Sequence, residues 1–427
     1  MKIAIIGGGA AGFFAAIACA RANPENEISI FERGSEFLTK VRISGGGRCN
    51  VTHACFDPRT LSEHYPRGER ALISPLYRFS PSDTVAWFEA HGVRLKTEPD
   101  GRMFPVTDSS RTIIDCLLSE AKAAGVRLFA RTGIEDAVLT AGGGFELRMG
   151  RHGGTGSVPS NSSADDREIV SCDRLLLATG GSRSISGAHI AQSLGHTIIP
   201  PVPSLFSLHV STPWLRSLPG VSIPDIEVAV SGTKLRERGP LLITHNGVSG
   251  PAVLRLSAWG ARVLHSLDYS FILRVNWLPD FTEETVRAQL QSLRQSNPNR
   301  QVINSPLGPL PARLWEQLAL AAGIDPETRG TTLSRVKAYE LAQVLTRTEL
   351  AVNGKSLNKD EFVTCGGVSL REINFKTMES RITPGLYFAG ELLDVDGLTG
   401  GFNFQVAWTT GWIAGHAMAD RELALPQ

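Results

Sequence analysis

The sequence lacks a long apolar run and a strong charge of either sign. Nowhere in its 427 residues do about 18 apolar residues follow one another, so we expect no membrane-spanning helix. Lys and Arg number 43 and Asp and Glu number 42, so the net charge is +1. This balance excludes a protein whose overall charge drives it onto nucleic acid or an anionic membrane, but it is compatible with a local basic surface.

Cysteine is scarce and scattered. The six residues are Cys19, Cys49, Cys55, Cys116, Cys172 and Cys365. None belongs to a CxxC pair, so neither a disulfide framework nor a zinc site is indicated, and we expect no metal site. A chain without a disulfide framework is typical of a reducing compartment, which predicts a cytoplasmic protein.

A glycine-rich turn opens the chain. Residues 2–6 predict a buried parallel strand, and residues 13–22 predict a helix. Between them a GxGxxG pattern is formed by Gly7, Gly9 and Gly12. The first glycine permits the tight turn, the second lets the backbone approach a pyrophosphate, and the third lets the helix pack on the strand. Because glycines interrupt the apolar run, the segment fits a dinucleotide-binding unit better than a signal peptide.

A carboxylate stands where a dinucleotide-binding unit needs one. Residues 27–31 predict a second strand, and Glu32 follows it 20 residues after Gly12. An acid at this distance binds the ribose hydroxyls of the dinucleotide. Strand, glycines, helix, strand and acid in this order predict a dinucleotide site. A glycine-rich turn in an unrelated α/β protein is the alternative.

Two distant segments favour FAD over NAD. Residues 173–181 and 386–391 each predict a strand whose end carries glycine. Gly400 and Gly401 then precede a predicted helix over residues 402–419. A late strand and a helix N-terminus supply the second contact that an extended dinucleotide needs, and the helix end stabilises negative charge on a reduced flavin ring. The pattern therefore predicts FAD, and a purely structural βα unit is the alternative.

A second glycine turn carries Arg48, Cys49 and Asn50. Three consecutive glycines precede them, and such a run lets the backbone approach a planar ring, which places these side chains near its reactive edge. Cys49 is either a small packed thiol or a catalytic group. A redox pair with Cys55 is disfavoured, because the CxxxxxC spacing is one residue longer than the CxxxxC of pyridine-nucleotide disulfide reductases.

Six blocks of sequence follow one known pattern from end to end. They are GGGAAG at 7–12, KVRISGGGRCNVT at 40–52, GRMFP at 101–105, LLITHNGVSGPAVLRLS at 241–257, TCGGVSLREI at 364–373 and TMESRITPGLYFAGELLDVDGLTGGFNFQVAWTTG at 377–411. In their order and spacing they resemble the BaiN/RdsA family of NAD(P)/FAD-dependent oxidoreductases. The resemblance implies an α/β fold, in which a FAD-binding Rossmann-like domain of the glutathione-reductase type is interrupted by a β-barrel-like segment and a small helical cap.

The chain is long enough for more than one core. A single core stops growing near about 250–300 residues, so we expect two domains or one domain with a large insertion. The FAD-binding domain is expected over residues 1–200 and 351–427, the β-barrel-like insert over 201–280 and the helical cap over 281–350. Residues 142–166 are rich in Gly and Ser and predict a surface hairpin with a long tip.

The resemblance also implies where FAD binds. On the adenine-dinucleotide side we expect Gly7, Gly9, Ala10, Ala11, Gly12, Glu32, Arg33, Lys40, Ile134, Thr179 and Gly180. The flavin-facing turn is expected to supply Gly46, Gly47, Arg48, Cys49 and Asn50. The C-terminal contacts are expected from Gly390, Glu391, Gly400, Gly401, Phe402 and Asn403. Two departures from the family pattern are Cys365, where Ala is usual, and Val41-Arg42, which replace a more apolar pair.

The activity implied by the resemblance is reduction of a carbon–carbon double bond. The leading hypothesis is NAD(P)H-driven conversion of uridine to dihydrouridine in large-subunit ribosomal RNA, in which hydride reaches C6 of the ring and an acid protonates C5. No second Rossmann fingerprint is present, so NAD(P)H is expected to bind transiently. The alternatives are a flavin-dependent reductase or oxidase of a small molecule, such as a steroid-like enone or the amine aminoacetone, and a non-catalytic RNA-binding flavoprotein.

Candidate catalytic side chains lie near the second glycine turn. Cys49 is the first candidate for the proton donor, and His53 and His245 are lesser candidates. Arg48 and Arg102 could polarise the uracil carbonyls or grip a phosphate.

A basic stretch suggests a partner. Residues 40–78 hold an excess of four positive charges, with His and aromatic residues interleaved, which suits an RNA strand with a splayed base. A solvated loop surface is the alternative. We expect ribosomal RNA or a small molecule as the partner, no membrane, and a monomer. The seven cations are Lys40, Arg42, Arg48, Arg59, Arg67, Arg70 and Arg78.

Overall fold

A computed structural model of the chain describes residues 1–150, 169–181, 185–296, 298–356 and 363–419. The distal part of the hairpin predicted for residues 142–166 lies outside this range. The chain forms two compact units. The first unit consists of Met1–Val202 and Val363–Gln427, and the barrel unit consists of Pro203–Phe362.

The strands and helices of the described residues are numbered in chain order. The strands are β1 (Lys2–Ile6), β2 (Glu27–Phe31), β3 (Thr52–His53), β4 (Leu95–Thr97), β5 (Arg102–Pro105), β6 (Arg127–Phe129), β7 (Ile134–Leu139), β8 (Phe145–Met149), β9 (Ile169–Cys172), β10 (Arg174–Leu177), β11 (Ile198–Ser204), β12 (Ser207–Val210), β13 (Ser222–Val230), β14 (Arg236–Thr244), β15 (Gly247–Ser249), β16 (Ser270–Asn276), β17 (Thr348–Ser356), β18 (Val363–Val368), β19 (Ile373–Asn374), β20 (Glu379–Ser380) and β21 (Leu386–Phe388). The α-helices are α1 (Ala10–Ala22), α2 (Thr39–Gly47), α3 (Pro58–Ser62), α4 (Glu69–Arg78), α5 (Pro81–Ala90), α6 (Ser110–Ala123), α7 (Ile185–Ser193), α8 (Pro251–Trp259), α9 (Ala261–Ser266), α10 (Glu283–Ser296), α11 (Ala312–Ala321), α12 (Arg335–Arg347) and α13 (Phe402–Ala419).

A seven-stranded sheet forms the centre of the first unit. Its strand order is β19-β20-β21-β10-β1-β2-β6, and the five strands from β21 to β6 run parallel. In β1 and β2 only the first residue of each strand is exposed, as expected for parallel strands covered on both faces. The predicted return of the chain to its first sheet is therefore present, because β10 lies between β1 and β21. The Rossmann-type α/β fold is confirmed.

Helices α1 and α13 pack closely through small residues. A Cβ atom at Gly411 would lie 2.5 Å from the carbonyl oxygen of Ala11, and one at Gly415 would lie 2.4 Å from that of Ala15. The paired residue numbers increase together, so the helices run parallel and direct their N-termini toward the same end. Counting back from these pairs, α13 begins about 12 Å beyond the N-terminus of α1. The two helix N-termini therefore point in the same direction, and that of α13 lies farther along it.

A closed six-stranded barrel forms part of the barrel unit, in the order β12-β15-β14-β13-β16-β17. The predicted barrel-like segment is confirmed. Its last strand, β17, spans the boundary that the sequence analysis set between residues 350 and 351. Buried and exposed residues alternate in β17, as in the other strands, but it follows helix α12 directly, without a glycine or proline to mark its start.

Two further findings concern the described residues as a whole. No helix among them is both long and apolar enough to cross a membrane. No three of their His, Cys, Asp and Glu side chains are grouped so that they could hold a metal ion.

Candidate active site

In the first glycine turn, Gly7 and Gly12 pack against neighbouring backbone, whereas Gly9 faces open space. Gly7 has φ +112°, and a Cβ atom there would lie 2.4 Å from the carbonyl oxygen of Ala178. A Cβ atom at Gly12 would lie 2.1 Å from the carbonyl oxygen of Gly7. Gly9, in contrast, meets nothing within 4 Å and precedes α1 without a side-chain cap. The first amides of α1, which include those of Ala10 and Ala11, are therefore accessible to a phosphate.

The predicted ribose acid is fixed in position. Glu32 follows β2 directly, and its two carboxylate oxygens accept hydrogen bonds from the amides of Gly8 at 2.9 Å and Gly34 at 2.7 Å. The next residue, Arg33, extends along Gly133, and Ile134 behind it is buried. The carboxylate therefore lies beside the glycine turn, as a dinucleotide-binding unit requires.

Two predicted cofactor residues, 351 positions apart in the chain, meet in an ion pair. The Lys40 ammonium lies 2.5 Å from one carboxylate oxygen of Glu391, whose other oxygen accepts a hydrogen bond from the Thr364 amide at 3.2 Å. Thr179 also lies in this region, beside Gly180, and its buried hydroxyl finds no hydrogen-bond partner among the described residues.

The second glycine turn presents bare backbone. Gly45, Gly46 and Gly47 all have positive φ, between +57° and +84°, and they break the regular geometry of α2. Cβ atoms at Gly46 and Gly47 would meet nothing within 4 Å, whereas one at Gly45 would lie 2.9 Å from the Phe104 ring. The turn is thus packed on one side and open on the other, which fits the approach of a flat ring.

Cys49 faces the protein interior. It is 0% exposed, and burial raises the pKa of its thiol to about 12. Its backbone has φ +61°, an uncommon conformation that reverses the chain after the glycines. A thiol with no accessible surface has no side turned toward the open face of the glycine turn. The geometry therefore favours the packed-thiol interpretation of Cys49.

The start of α13 is joined to β3 by the Asn50 side chain. In the orientation that gives both side-chain atoms a partner, the amide oxygen of Asn50 accepts a hydrogen bond from the Gly401 amide at 2.9 Å. The amide nitrogen of the same side chain donates to the Thr52 carbonyl at 3.0 Å. A Cβ atom at Gly401 would lie 2.5 Å from that same carbonyl oxygen, so this position needs glycine. Asn403 exchanges two hydrogen bonds with the backbone of Gly397. The loop before α13 is therefore held rigidly at both ends.

His53 lies beside this loop. Its Nδ1 is 3.1 Å from the carbonyl oxygen of Gly400, so Nδ1 carries a proton. The ring centroid is 4.7 Å from that of Phe402, which stacks on His64 at 4.5 Å. The absence of a side chain at Gly101 leaves room for the His53 ring, since a Cβ atom at Gly101 would lie 2.6 Å from His53 Nε2. Burial lowers the pKa of His53, which favours the neutral form of the imidazole.

The two candidate arginines share one carboxylate. Glu98 accepts from Arg48 at 2.6 Å and from Arg102 at 3.1 Å, and the Arg48 guanidinium carbon lies 4.0 Å from the centre of the Phe104 ring. Arg102 on β5 is the register partner of His53 on β3, so their side chains lie on one face. Glu98 was not among the predicted residues. Its position four residues before Arg102, in a hairpin loop, was the feature of the sequence that could have indicated this ion pair.

His245 belongs to the barrel unit. It lies at the exposed turn between β14 and β15. The five other candidates of the second glycine turn and its surroundings belong to the first unit, where the structure brings them together: Arg48, Cys49, Asn50, His53 and Arg102.

A buried ion pair anchors the loop that leads into α13. Arg67 donates through two nitrogens to the carboxylate of Asp396, which is 0% exposed. Next to it, Gly68 packs on Val395, where a Cβ atom would lie 2.7 Å from a methyl carbon. The sequence analysis assigned Arg67 to a basic surface and gave no role to Asp396.

The basic stretch is largely neutralised in the folded chain. Four of its seven cations are ion-paired: Lys40 with Glu391, Arg42 with Glu36, Arg48 with Glu98, and Arg67 with Asp396. Three others are exposed: Arg59, Arg70 and Arg78. The stretch as a whole therefore does not form the continuous basic surface that its composition suggested.

An open glycine turn at α1, a fixed carboxylate after β2 and a second helix N-terminus farther along in the same direction are the features that an extended dinucleotide needs. With this fold, they make the chain an enzyme of the FAD-dependent oxidoreductase class. The chain belongs to the HI0933-like protein Rossmann domain family, whose sequence profile matches residues 1–417.

Full-length relatives and a solved structure extend this assignment. The chain is 32% identical over 417 residues to the ribosomal RNA dihydrouridine synthase of Escherichia coli, covering 96% of this chain and 95% of that protein. It is 30% identical to the 3-dehydro-bile acid delta(4,6)-reductase of Clostridium scindens, covering 98% and 99%. The fold is similar to that of the 3-ketosteroid-Δ4-(5α)-dehydrogenase of Rhodococcus jostii, with a TM-score of 0.50, 15% identity and coverage of 98% and 97%.

Proposed function

We propose that this chain reduces a carbon–carbon double bond beside a carbonyl group, with a uridine of large-subunit ribosomal RNA as the substrate and NAD(P)H as the electron donor. Both relatives described above are named for reactions of this kind, one on ribosomal RNA and one on a steroid. The observation that carries the proposal is the pairing of His53 with Arg102 on neighbouring strands. Such a reduction needs a proton donor and a cation for the carbonyl oxygen, and this pair supplies both when the imidazole of His53 is protonated.

The residues of the first unit fit FAD. The open turn at Gly9 and the amides of α1 would hold the pyrophosphate, Glu32 the ribose, and the bare backbone of Gly46 and Gly47 the flavin ring. The N-terminus of α13 would face the flavin and favour negative charge there. When bound, FAD supplies hydride transfer to the substrate carbon.

The protein's own part is to orient the base and move a proton. The Arg102 guanidinium, held by Glu98 and Asp100, would stabilise the charge that develops on the ring carbonyl. The protonated His53 would donate its Nε2 proton to the neighbouring carbon, while Nδ1 stays on the Gly400 carbonyl. Cys49 is proposed to act by packing beneath the glycine turn, because its thiol does not reach the open side.

The pH dependence of turnover separates the two candidate donors. We expect His53→Gln to lower kcat by about 100-fold and Cys49→Ala to leave it within a few fold, both with FAD bound. Because burial lowers the pKa of His53, the reactive protonated form is lost as pH rises through that pKa, so the rate should fall with rising pH. A Cys49 donor, with a pKa of about 12, would give a flat profile over the usable range. A flat wild-type profile with an inactive Cys49→Ala variant would reverse the assignment.

The substrate is tested in the host. Dihydrouridine in large-subunit ribosomal RNA should disappear when the gene is deleted and return with the wild-type gene, as measured by mass spectrometry of digested RNA. The Arg102→Ala variant should fail to restore it while retaining flavin. An unchanged base would contradict the RNA substrate and favour a small enone, for which the steroid-reducing relative is the precedent. Peroxide release with an amine would instead indicate an oxidase.

A further inference from the structure

Helix α4 exposes a face made of two arginines, a serine and a tyrosine. Arg70, Ser74, Tyr77 and Arg78 are all exposed, and their spacing of i, i+4, i+7 and i+8 places them on one side of the helix. The opposite side, around Leu76, is buried. Tyr77 is 58% exposed, which is unusual for an aromatic side chain with a buried face available on the same helix.

The charge of this face is uncompensated. Neither Arg70 nor Arg78 lies within 4.0 Å of a carboxylate among the residues that the structure describes. Arg78 donates to the backbone carbonyl of Lys376, which is a neutral acceptor and does not offset the positive charge of Arg78. The same hydrogen bond places exposed Lys376 next to α4. The face therefore carries two arginine cations and an exposed tyrosine on α4, with exposed Lys376 next to Arg78. In contrast, two arginines earlier in the basic stretch, Arg48 and Arg67, form ion pairs with carboxylates.

The face is joined to the loop that precedes α13. Helix α4 begins at Glu69, directly after Gly68, which packs on Val395, and Arg67, which pairs with buried Asp396. A strand bound along α4 would therefore run toward the loop that carries Gly400 and the flavin-facing helix end. Over the two turns from residue 70 to residue 77 it would cover about 10 Å.

We propose that the α4 face, which consists of Arg70, Ser74, Tyr77, Arg78 and Lys376, binds a single-stranded segment of the RNA substrate next to the reacting base. The cations would neutralise phosphates, and Tyr77 would stack on an unpaired base. This inference rests on the proposed RNA substrate. It assigns RNA binding to α4 rather than to the basic stretch as a whole.

Binding of unmodified large-subunit ribosomal RNA, transcribed in vitro, tests the α4 face. The Arg70→Gln/Arg78→Gln/Lys376→Gln variant should lower the slope of log Kd against log salt by about 2, because each lost phosphate contact removes about 0.7 for a single strand. The matched control replaces three exposed cations of the same unit that also lack a carboxylate within 4.0 Å among the described residues, Arg94, Lys122 and Arg371, by Gln. It should leave the slope unchanged. Tyr77→Ala should weaken binding about 10-fold at every salt concentration, and Tyr77→Phe should restore it.

The outcomes separate this inference from the proposed function. Flavin content and NAD(P)H oxidation are measured on each variant, so a misfolded protein is recognised by its loss of flavin. If wild-type protein converts uridine but the α4 variant binds like the control variant, the α4 site is wrong and the RNA function stands. If wild-type protein neither binds nor converts this RNA, the proposed function itself fails.

Discussion

A Gly9→Val variant is expected to fold normally and to lose its flavin. Gly9 has φ −95° and ψ −170°, an extended conformation that any residue adopts, and a Cβ atom there meets nothing within 4 Å. The new side chain would instead occupy the space in front of the first amides of α1, where the pyrophosphate is expected. We expect FAD affinity to fall by more than about 100-fold, which corresponds to about 2.8 kcal/mol. The measurement is flavin released per chain, alongside the thermal unfolding midpoint of flavin-free protein.

The same substitution at Gly12 should act through the fold. A Cβ atom at Gly12 would lie 2.1 Å from the carbonyl oxygen of Gly7, so the backbone would have to move before α1 could pack on β1. Gly12→Val should therefore reduce soluble yield or the unfolding midpoint as well as flavin content. A Gly9→Val protein that keeps one flavin per chain would show that the dinucleotide does not approach this turn.

Local signals in the sequence were sufficient for the elements that build the dinucleotide site. The strands expected at residues 2–6 and 27–31 and the helix expected at 402–419 coincide with β1, β2 and α13. In each case an apolar run is bounded by glycine or a charged residue, and the run is buried on both faces or all round, so propensity and tertiary packing agree.

Pairings between distant residues were not available from the sequence. Arg67 and Asp396 are 329 positions apart, and Arg48 and Glu98 are 50 apart, yet these pairs decide which cations of the basic stretch are free. The composition of a segment gives its number of charges, but the charge of its folded surface depends on which of them form ion pairs.

The expectation for Cys49 shows the same limit on a smaller scale. Its position after three glycines correctly placed it at the turn, but the direction of a side chain depends on backbone dihedrals. The φ of +61° at Cys49 directs the thiol inward, while the following strand carries His53 to the loop before α13. Proximity in the sequence therefore does not decide between Cys49 and His53 as the proton donor, and burial of the thiol is the observation that leads us to propose His53.

The Arg67→Met variant is expected to destabilise the first unit severely. Asp396 is fully buried, and removing its cation leaves the carboxylate charge in a low-dielectric interior, which costs about 3–5 kcal/mol. That loss is a large fraction of the total stability of a typical domain. Urea unfolding should show a lower midpoint, and the released loop should weaken flavin binding, because it leads directly into α13.

Removal of both charges distinguishes an ionic anchor from simple packing. Arg67→Met/Asp396→Leu retains side-chain volume without a buried charge and should recover most of the loss, since apolar replacement of a whole buried pair is often neutral. Arg111→Met, which breaks the exposed Arg111–Asp115 pair, should cost less than about 0.5 kcal/mol. If the single and double variants at positions 67 and 396 were equally unstable, the loss would come from the shape of Arg67 rather than from its charge. If both were stable, the other contacts of the loop before α13, among them the hydrogen bonds of Asn50 and Asn403, would be sufficient to hold it.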